Sequence, residues 1–284
     1  MPFELRVKVR SVLTLALLLV VVTGGGVVGC GGLKKPKEPP QGAVDADKFL
    51  FDRGTELLAK KNWITAREYF KRIVDSYPQS QYRADAKLGV GDSYLGEGRT
   101  DSLILAVNEF KEFLQFFPLN EKADYAQYRL ALATSKQMLS PERDQTATHE
   151  TLAEVQHFKE AHPNSPYMPE VDKIFRQARE RLSESEFRVG MLYFRIHGYI
   201  GAIGRFSALI SDDPQYSKRD ELFFYMAETC NKAPALKAQA VTYYDMVMSE
   251  YPKSKYAKRA KRRLEQMKQA DAKAAKLAEG KSGK

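Results

Sequence analysis

The sequence predicts an all-α chain: five helix pairs in a linear array, closed by a C-terminal capping helix. Two observations carry this. The first is a signature that recurs five times, ending each time at Pro78, Pro118, Pro163, Pro214 and Pro252. Twelve residues before these prolines stand Ala66, Ala106, Thr151, Ala202 and Ala240. Eight before stand Phe70, Phe110, Val155, Phe206 and Tyr244, and five before stand Ile73, Phe113, Phe158, Leu209 and Val247. Steps of four and three put each triplet on one helix face. The proline then stops the helix, because it lacks an amide donor and its ring clashes with the preceding turn. The prolines lie 40, 45, 51 and 38 residues apart, a period that marks helical arrays. Five copies in one register are not chance amphipathic helices. The second observation is a glycine 12 residues ahead of the stripe's first position, Gly54 before Ala66 and Gly190 before Ala202. Small residues at both places let the paired helices approach closely.

The first 29 residues stand outside the array. Arg6, Lys8 and Arg10 precede an apolar run from Val12 to Val22, broken only by Thr14. Eleven residues do not span a bilayer, for which about 20 are needed. This is the pattern of a cleaved export signal. It ends in Val27-Val28-Gly29-Cys30, which resembles the lipobox of bacterial lipoproteins, so Cys30 is expected to become a lipidated N-terminus. Each buried acyl CH₂ contributes about 0.8 kcal/mol, and stable anchoring takes more than one chain. Gly31 in place of aspartate favours the outer membrane for such lipoproteins. With Cys30 lipidated, Cys230 has no disulfide partner and reads as a small buried hydrophobe. Residues 33–45, LKKPKEPPQGAVD, form a tether that reaches on the order of 40 Å at about 3.1 Å per residue. The expected divisions are 1–29 (signal), 30–46 (lipidated cysteine and tether), 47–265 (five repeats) and 266–284 (basic tail).

Repeat one has a first helix from about Asp47 to Lys60 and a second from Ile64 to Tyr77. Its Gly54-to-Ala66 interval resembles the tetratricopeptide repeat in both helices, which implies a right-handed superhelical array. Repeat two has Gly91 and Tyr94, with three extra residues before Ala106 assigned to the turn GEGRTDS. Repeat three diverges most: a first helix over about Lys122 to Met138, then SPERDQTAT, then a helix ending at Ala161. Repeat four has a long first helix from near Pro169 to His197, and repeat five has helices over Arg219–Asn231 and Leu236–Glu250. A capping helix runs from Lys255 to about Leu277. In PQSQY, PNSPY and PKSKY, Ser80, Ser165 and Ser254 are expected to cap the following helix, with each tyrosine packed at the seam between repeats.

The chain carries a formal +9. From Lys253 onward stand 12 basic and 3 acidic residues, so the high isoelectric point belongs to the C-terminus. Two readings are open for it: an acidic partner surface or anionic lipid head groups, and a merely solvated helix. Nucleic acid does not suit an exported protein. No catalytic set is present. His149, His157, His162 and His197 lack metal-ligand spacing, no glycine-rich phosphate loop follows the signal, and Asp212-Asp213 is a helix-end turn. No enzyme, cofactor or metal is expected.

The Cys30 lipobox, the proline-containing tether and the five repeats together resemble the BamD-type outer-membrane assembly lipoproteins over nearly the whole mature length. The resemblance implies a lipid-anchored scaffold of the β-barrel assembly machinery, with its body in the periplasm. It implies three partners: a BamA-like β-barrel subunit, whose POTRA domain nearest the barrel takes the C-terminal repeats; unfolded outer-membrane proteins, whose C-terminal signal the N-terminal repeats help receive; and other assembly lipoproteins. Members of the family carry an arginine nine residues before the repeat-four proline that pairs with a POTRA acid, which is Arg205 here. A planar guanidinium suits carboxylate; the competing reading is a solvent-facing helix charge. Tyr77 matches a tyrosine near the family's substrate-receiving site and reads equally as packing. Phe51, Thr55 and Leu58 fall on the expected concave face, where a groove holds an extended or helical peptide. The alternative function is an envelope repeat lipoprotein that organises cell-wall or division partners, like the TolA-binding repeat proteins. Those begin with a coiled coil, and Leu33 to Pro40 has no heptad pattern.

Overall fold

All fifteen positions of the recurrent stripe are buried, each with 3% or less of its surface exposed. The computed structural model describes residues 38–39 and 45–282, so the signal, Cys30 and most of the tether lie outside the described residues. Every element among the described residues is helical. Repeat one is α1 (Ala46–Ala59) and α2 (Trp63–Ser76), and repeat two is α3 (Arg83–Glu97) and α4 (Thr100–Phe116). Repeat three is α5 (Ala123–Ser135) and α6 (Thr146–Ala161), and repeat four is α7 (Met168–Arg195) and α8 (Tyr199–Asp212). Repeat five is α9 (Arg219–Lys232) and α10 (Lys237–Glu250), joined through a 3₁₀ turn at Pro234–Leu236, and α11 (Lys255–Ser282) follows.

Each α-helix packs on its neighbours in sequence, and each first helix also packs on the next first helix, from α1 on α3 to α9 on α11. This is the contact pattern of an array, and it lies within one unit, Pro39–Lys284. The glycines do what their spacing requires. Phe70 fills the space between α1 and α3, so a Cβ at Gly54 would stand 2.7 Å from one edge of its ring and a Cβ at Gly89 would stand 2.6 Å from the other. Gly190 admits Phe206 in the same way, and Gly91 admits Phe110.

Repeats one and four share an interhelix turn. Lys61 and His197 adopt left-handed backbone at φ 59° and 63°. The amides of Asn62 and Gly198, one residue on, donate to the carbonyls of Leu57 and Tyr193 five residues back. This six-to-one bond belongs to the Schellman turn, and it is why both repeats keep one spacing. His197 therefore lies beyond α7, not in it. Repeat two departs from expectation: its extra residues extend helix rather than turn. The α4 helix begins at Thr100, six residues before Ala106, and the added turn is held down by buried Ser102 and Leu103. The α5 helix stops at Ser135, short of the expected Met138. The segment after it is strapped to α7: Arg181 donates to the carbonyls of Met138 (2.9 Å) and Leu139 (2.7 Å), and Arg188 pairs with Glu142 at 2.8 Å.

The three serines each accept the amide two residues on, at Tyr82, Tyr167 and Tyr256. At α3 and α7 that bond falls ahead of the helix, so Tyr82 and Tyr167 occupy the cap positions without a side-chain cap. The serine hydroxyls also donate: Ser80 to Asp47, Ser165 to Asp124 and Ser254 to Asp220, each acid lying at the start of the preceding repeat's first helix. Four residues after each acid, an aromatic ring meets the loop tyrosine. Tyr82 lies on Phe51 at 5.0 Å, Tyr167 on Tyr128 at 5.1 Å and Tyr256 on Phe224 at 5.2 Å. One lock thus recurs at three seams. The α11 helix runs unbroken across residues 265 and 266, so the basic tail continues the cap as helix.

Candidate binding sites

Helices α1, α3 and α5 bound a groove of 510 Å³. Its apolar floor is Phe51 and Leu58 of α1, Phe70 of α2, and Leu88 and Gly89 of α3. Its rim is polar: Thr55, Asp85, Asp92, Glu121, Lys122 and Asp124, with Tyr125 and Tyr167 at the far end. Phe51, Thr55 and Leu58 are therefore brought together as the spacing implied; Thr55 is exposed and the other two are half-buried. Tyr77 does not line this groove. It follows α2, half-buried against the core of the first two repeats, in the place His162 takes in repeat three, where it meets Phe158.

Most of the rim's charge is already matched. Lys122 binds both carboxylate oxygens of Asp85 at 2.7 and 2.8 Å. Arg129 pairs with Asp92 at 2.7 Å, and the Tyr125 hydroxyl donates to the same carboxylate at 2.8 Å. Burial pushes the Asp92 carboxyl above its ordinary range, against the pull of Arg129 and Tyr125. Burial and the Asp92 charge raise the Tyr125 phenol as well, so it stays a donor. The result is a rigid apolar trough with fixed acceptors along one edge. It suits an extended segment whose apolar or aromatic side chains enter the floor.

Arg205 lies elsewhere, on α8, at a cleft of 400 Å³ lined also by His149 and Leu152 of α6, Glu186 of α7 and Ala208. It is 48% exposed and pairs with Glu186 at 3.1 Å. An exposed pair of this kind is worth about 0–1 kcal/mol, so Arg205 exchanges partners at little cost. On another side of α8, Ile200 is 73% exposed and nothing lies within 4 Å of a Cβ at Gly204. Ile196 and Leu192, at the end of α7, are 62% and 52% exposed. Sequence reasoning missed this apolar group; its signal was Ile196 and Ile200 flanking the turn, off the buried stripe. Among the described residues no group of three or more His, Cys, Asp or Glu side chains is placed to hold a metal ion. No described helix is long and apolar enough to cross a membrane.

Residues 44–243 match the YfiO family, described as "Outer membrane lipoprotein". The chain belongs to this family. The matched segment runs from α1 into α10, where it ends at residue 243, and leaves α11 outside it. Among curated relatives, the outer membrane protein assembly factor BamD of Caulobacter vibrioides is 28% identical over 77% of this chain and 70% of its own length. BamD of Xylella fastidiosa is 24% identical over 59% of this chain and 60% of its own. BamD of Haemophilus influenzae is 24% identical over 78% and 85%. Among solved structures, a thermophilic TPR protein of Thermus thermophilus is 15% identical, with a TM-score of 0.34 over 77% of this chain and 99% of its own.

Proposed function

We propose that this chain is an outer-membrane protein assembly factor: a non-catalytic scaffold that joins a β-barrel assembly subunit to unfolded substrates. The observation that carries the reading is the family match from α1 into α10, with relatives named for that role. The geometry supports a division of labour. The groove of repeats one to three offers an apolar floor and fixed polar rim to an extended substrate segment. The α8 helix offers an exchangeable guanidinium at Arg205, and exposed Ile196 and Ile200 flank the turn that begins it. Its partner is the POTRA domain nearest the barrel of a BamA-like subunit, with a carboxylate replacing Glu186 on Arg205. Acyl chains on Cys30 hold the protein at the outer membrane, with its body in the periplasm.

Mild-detergent affinity purification of the full chain from its own envelope tests this. Stoichiometric recovery of a POTRA-containing barrel protein is expected, and Arg205→Glu is expected to reduce that recovery with circular dichroism unchanged. Recovery of Tol or cell-wall proteins with no such barrel overturns the reading. Equal recovery by wild type and Arg205→Glu removes Arg205 from the interface.

A further inference from the structure

The capping helix is two-faced. Tyr256, Ala257, Ala260, Leu264 and Met267 are buried, and at 100° per residue they occupy one third of its circumference. The rest is basic. Lys255, Lys258, Lys261, Arg262 and Lys268 are exposed, and Lys273 and Lys276 continue the row in the next turns. The acids of the helix do little to offset this: Asp271 is taken by Lys237 at 2.6 Å, which leaves Glu265 and, near the end, Glu279.

A pocket of 210 Å³ opens where this basic face meets α9, lined by Phe224, Arg259, Arg262, Arg263 and Gln266. Its three arginines are held differently. Arg263 is neutralised, its Nε and Nη2 donating to the two carboxylate oxygens of Glu228 at 2.8 and 3.1 Å. The Arg259 guanidinium lies 4.3 Å over the Phe224 ring and 5.2 Å over Tyr256, which fixes its plane and leaves its charge uncompensated. Arg262 is exposed at the rim. The pocket is large enough to admit a phosphate group and has two cations at its mouth.

We propose that the exposed face of α11 binds an anionic phospholipid surface, with a headgroup phosphate between Arg259 and Arg262, so that the array is held against the membrane at its C-terminal end as well as through its N-terminus. Three things favour a bilayer over an acidic protein. The cations are spread along a straight helix of 28 residues, about 42 Å at 1.5 Å per residue, which fits a plane better than a compact partner. Among the described residues, the exposed face has no large apolar side chain to anchor a protein interface. The family is one of outer membrane lipoproteins, so a lipid surface is at hand, and α11 lies outside the family-matched segment. Each basic residue near an anionic surface strengthens adsorption about fivefold, so three removed together lower it about a hundredfold.

The test uses the full chain carrying Cys30→Ser, which takes acyl anchoring out of the readout. Its adsorption is measured on vesicles of phosphatidylcholine alone and of phosphatidylcholine with one quarter phosphatidylglycerol, at about 0.1 M salt. The same chain with Lys258→Glu, Lys261→Glu and Arg262→Glu is compared, and a second version carries glutamine at those positions in case charge reversal disturbs folding. Strong binding to anionic vesicles only, lost about a hundredfold in the triple variants and weakened by salt, is expected. Equal binding to both vesicles, no binding to either, or anionic binding that the triple variants keep overturns the proposal. Competition by free inorganic phosphate at millimolar concentration, with no preference for vesicles, also overturns it in favour of a soluble anion site. The barrel-subunit reading is scored by co-purification, so either can fail without the other.

Discussion

Phe70 sits between two glycines, and replacing either by alanine drives a methyl into its ring. The Cβ of Gly89→Ala would meet Cε2 at 2.6 Å and that of Gly54→Ala would meet Cε1 at 2.7 Å, against ordinary contacts beyond 3.4 Å. The ring cannot retreat from one methyl without approaching the helix that carries the other glycine. Overpacking of this kind costs about 1–3 kcal/mol. Alanine also favours the helix over glycine by about 0.5–1 kcal/mol, which offsets part of the loss. Each single variant is therefore expected to lose about 1 kcal/mol net, and the double variant more than the sum of the two. Gly204→Ala is the internal reference: it too is mid-helix, but nothing lies within 4 Å of its Cβ, so it is expected to gain about 0.5–1 kcal/mol. Equilibrium urea unfolding followed by circular dichroism measures all four. The reasoning is refuted if Gly89→Ala stabilises the chain as much as Gly204→Ala does.

Three further variants have defined outcomes. Asp213 is 2% exposed and binds Arg176 at 2.9 and 2.5 Å and the Ser183 hydroxyl at 2.6 Å; Asp213→Asn is expected to cost about 1.5–3 kcal/mol in the same unfolding assay, because it removes the buried carboxylate that both groups share and leaves Arg176 only Glu180 at 3.3 Å. Burial pushes the Asp213 carboxyl up, but Arg176 and Ser183 outweigh it and hold it below its ordinary value of 3.8. Its contribution is thus complete above that value and fades as pH falls through the lower folded one, so acid unfolding of Asp213→Asn is expected to be less steep below pH 4. Cys30→Ser is expected to move the protein out of the membrane-anchored fraction in high-salt washes, and persistence there with the signal cleaved contradicts acyl anchoring. Thr55→Trp places an indole in the groove from an exposed position, and fluorescence anisotropy with a peptide from a barrel protein's C-terminal strand is expected to show at least about a tenfold loss, 1.4 kcal/mol, with unfolding unchanged.

The sequence by itself determined the five helix pairs and their buried stripes, and it marked Gly54 and Gly190 as points of close helix approach. Ala66, Phe70 and Ile73 repeat within one helix, and a 3.6-residue period writes the buried face directly into local spacing. Helix ends were legible where proline imposes them, and less so at α7, where left-handed His197 ends the helix early, and at α4 and α5, where burial of Ser102 or strapping by Arg181 decides the length. The groove residues Phe51, Thr55 and Leu58 were legible for the same reason, being three positions on one helix. Only the tertiary structure decided what they face: Leu88, the Asp92–Arg129 pair and Tyr125, from helices whose register against α1 no local period records. The locks of Ser80 on Asp47, Ser165 on Asp124 and Ser254 on Asp220 join residues 33, 41 and 34 apart. The pairing of Arg205 with Glu186 spans 19. Such distances are set by how whole helices stack, which depends on every packed side chain between them, and so they appear only once the array is assembled.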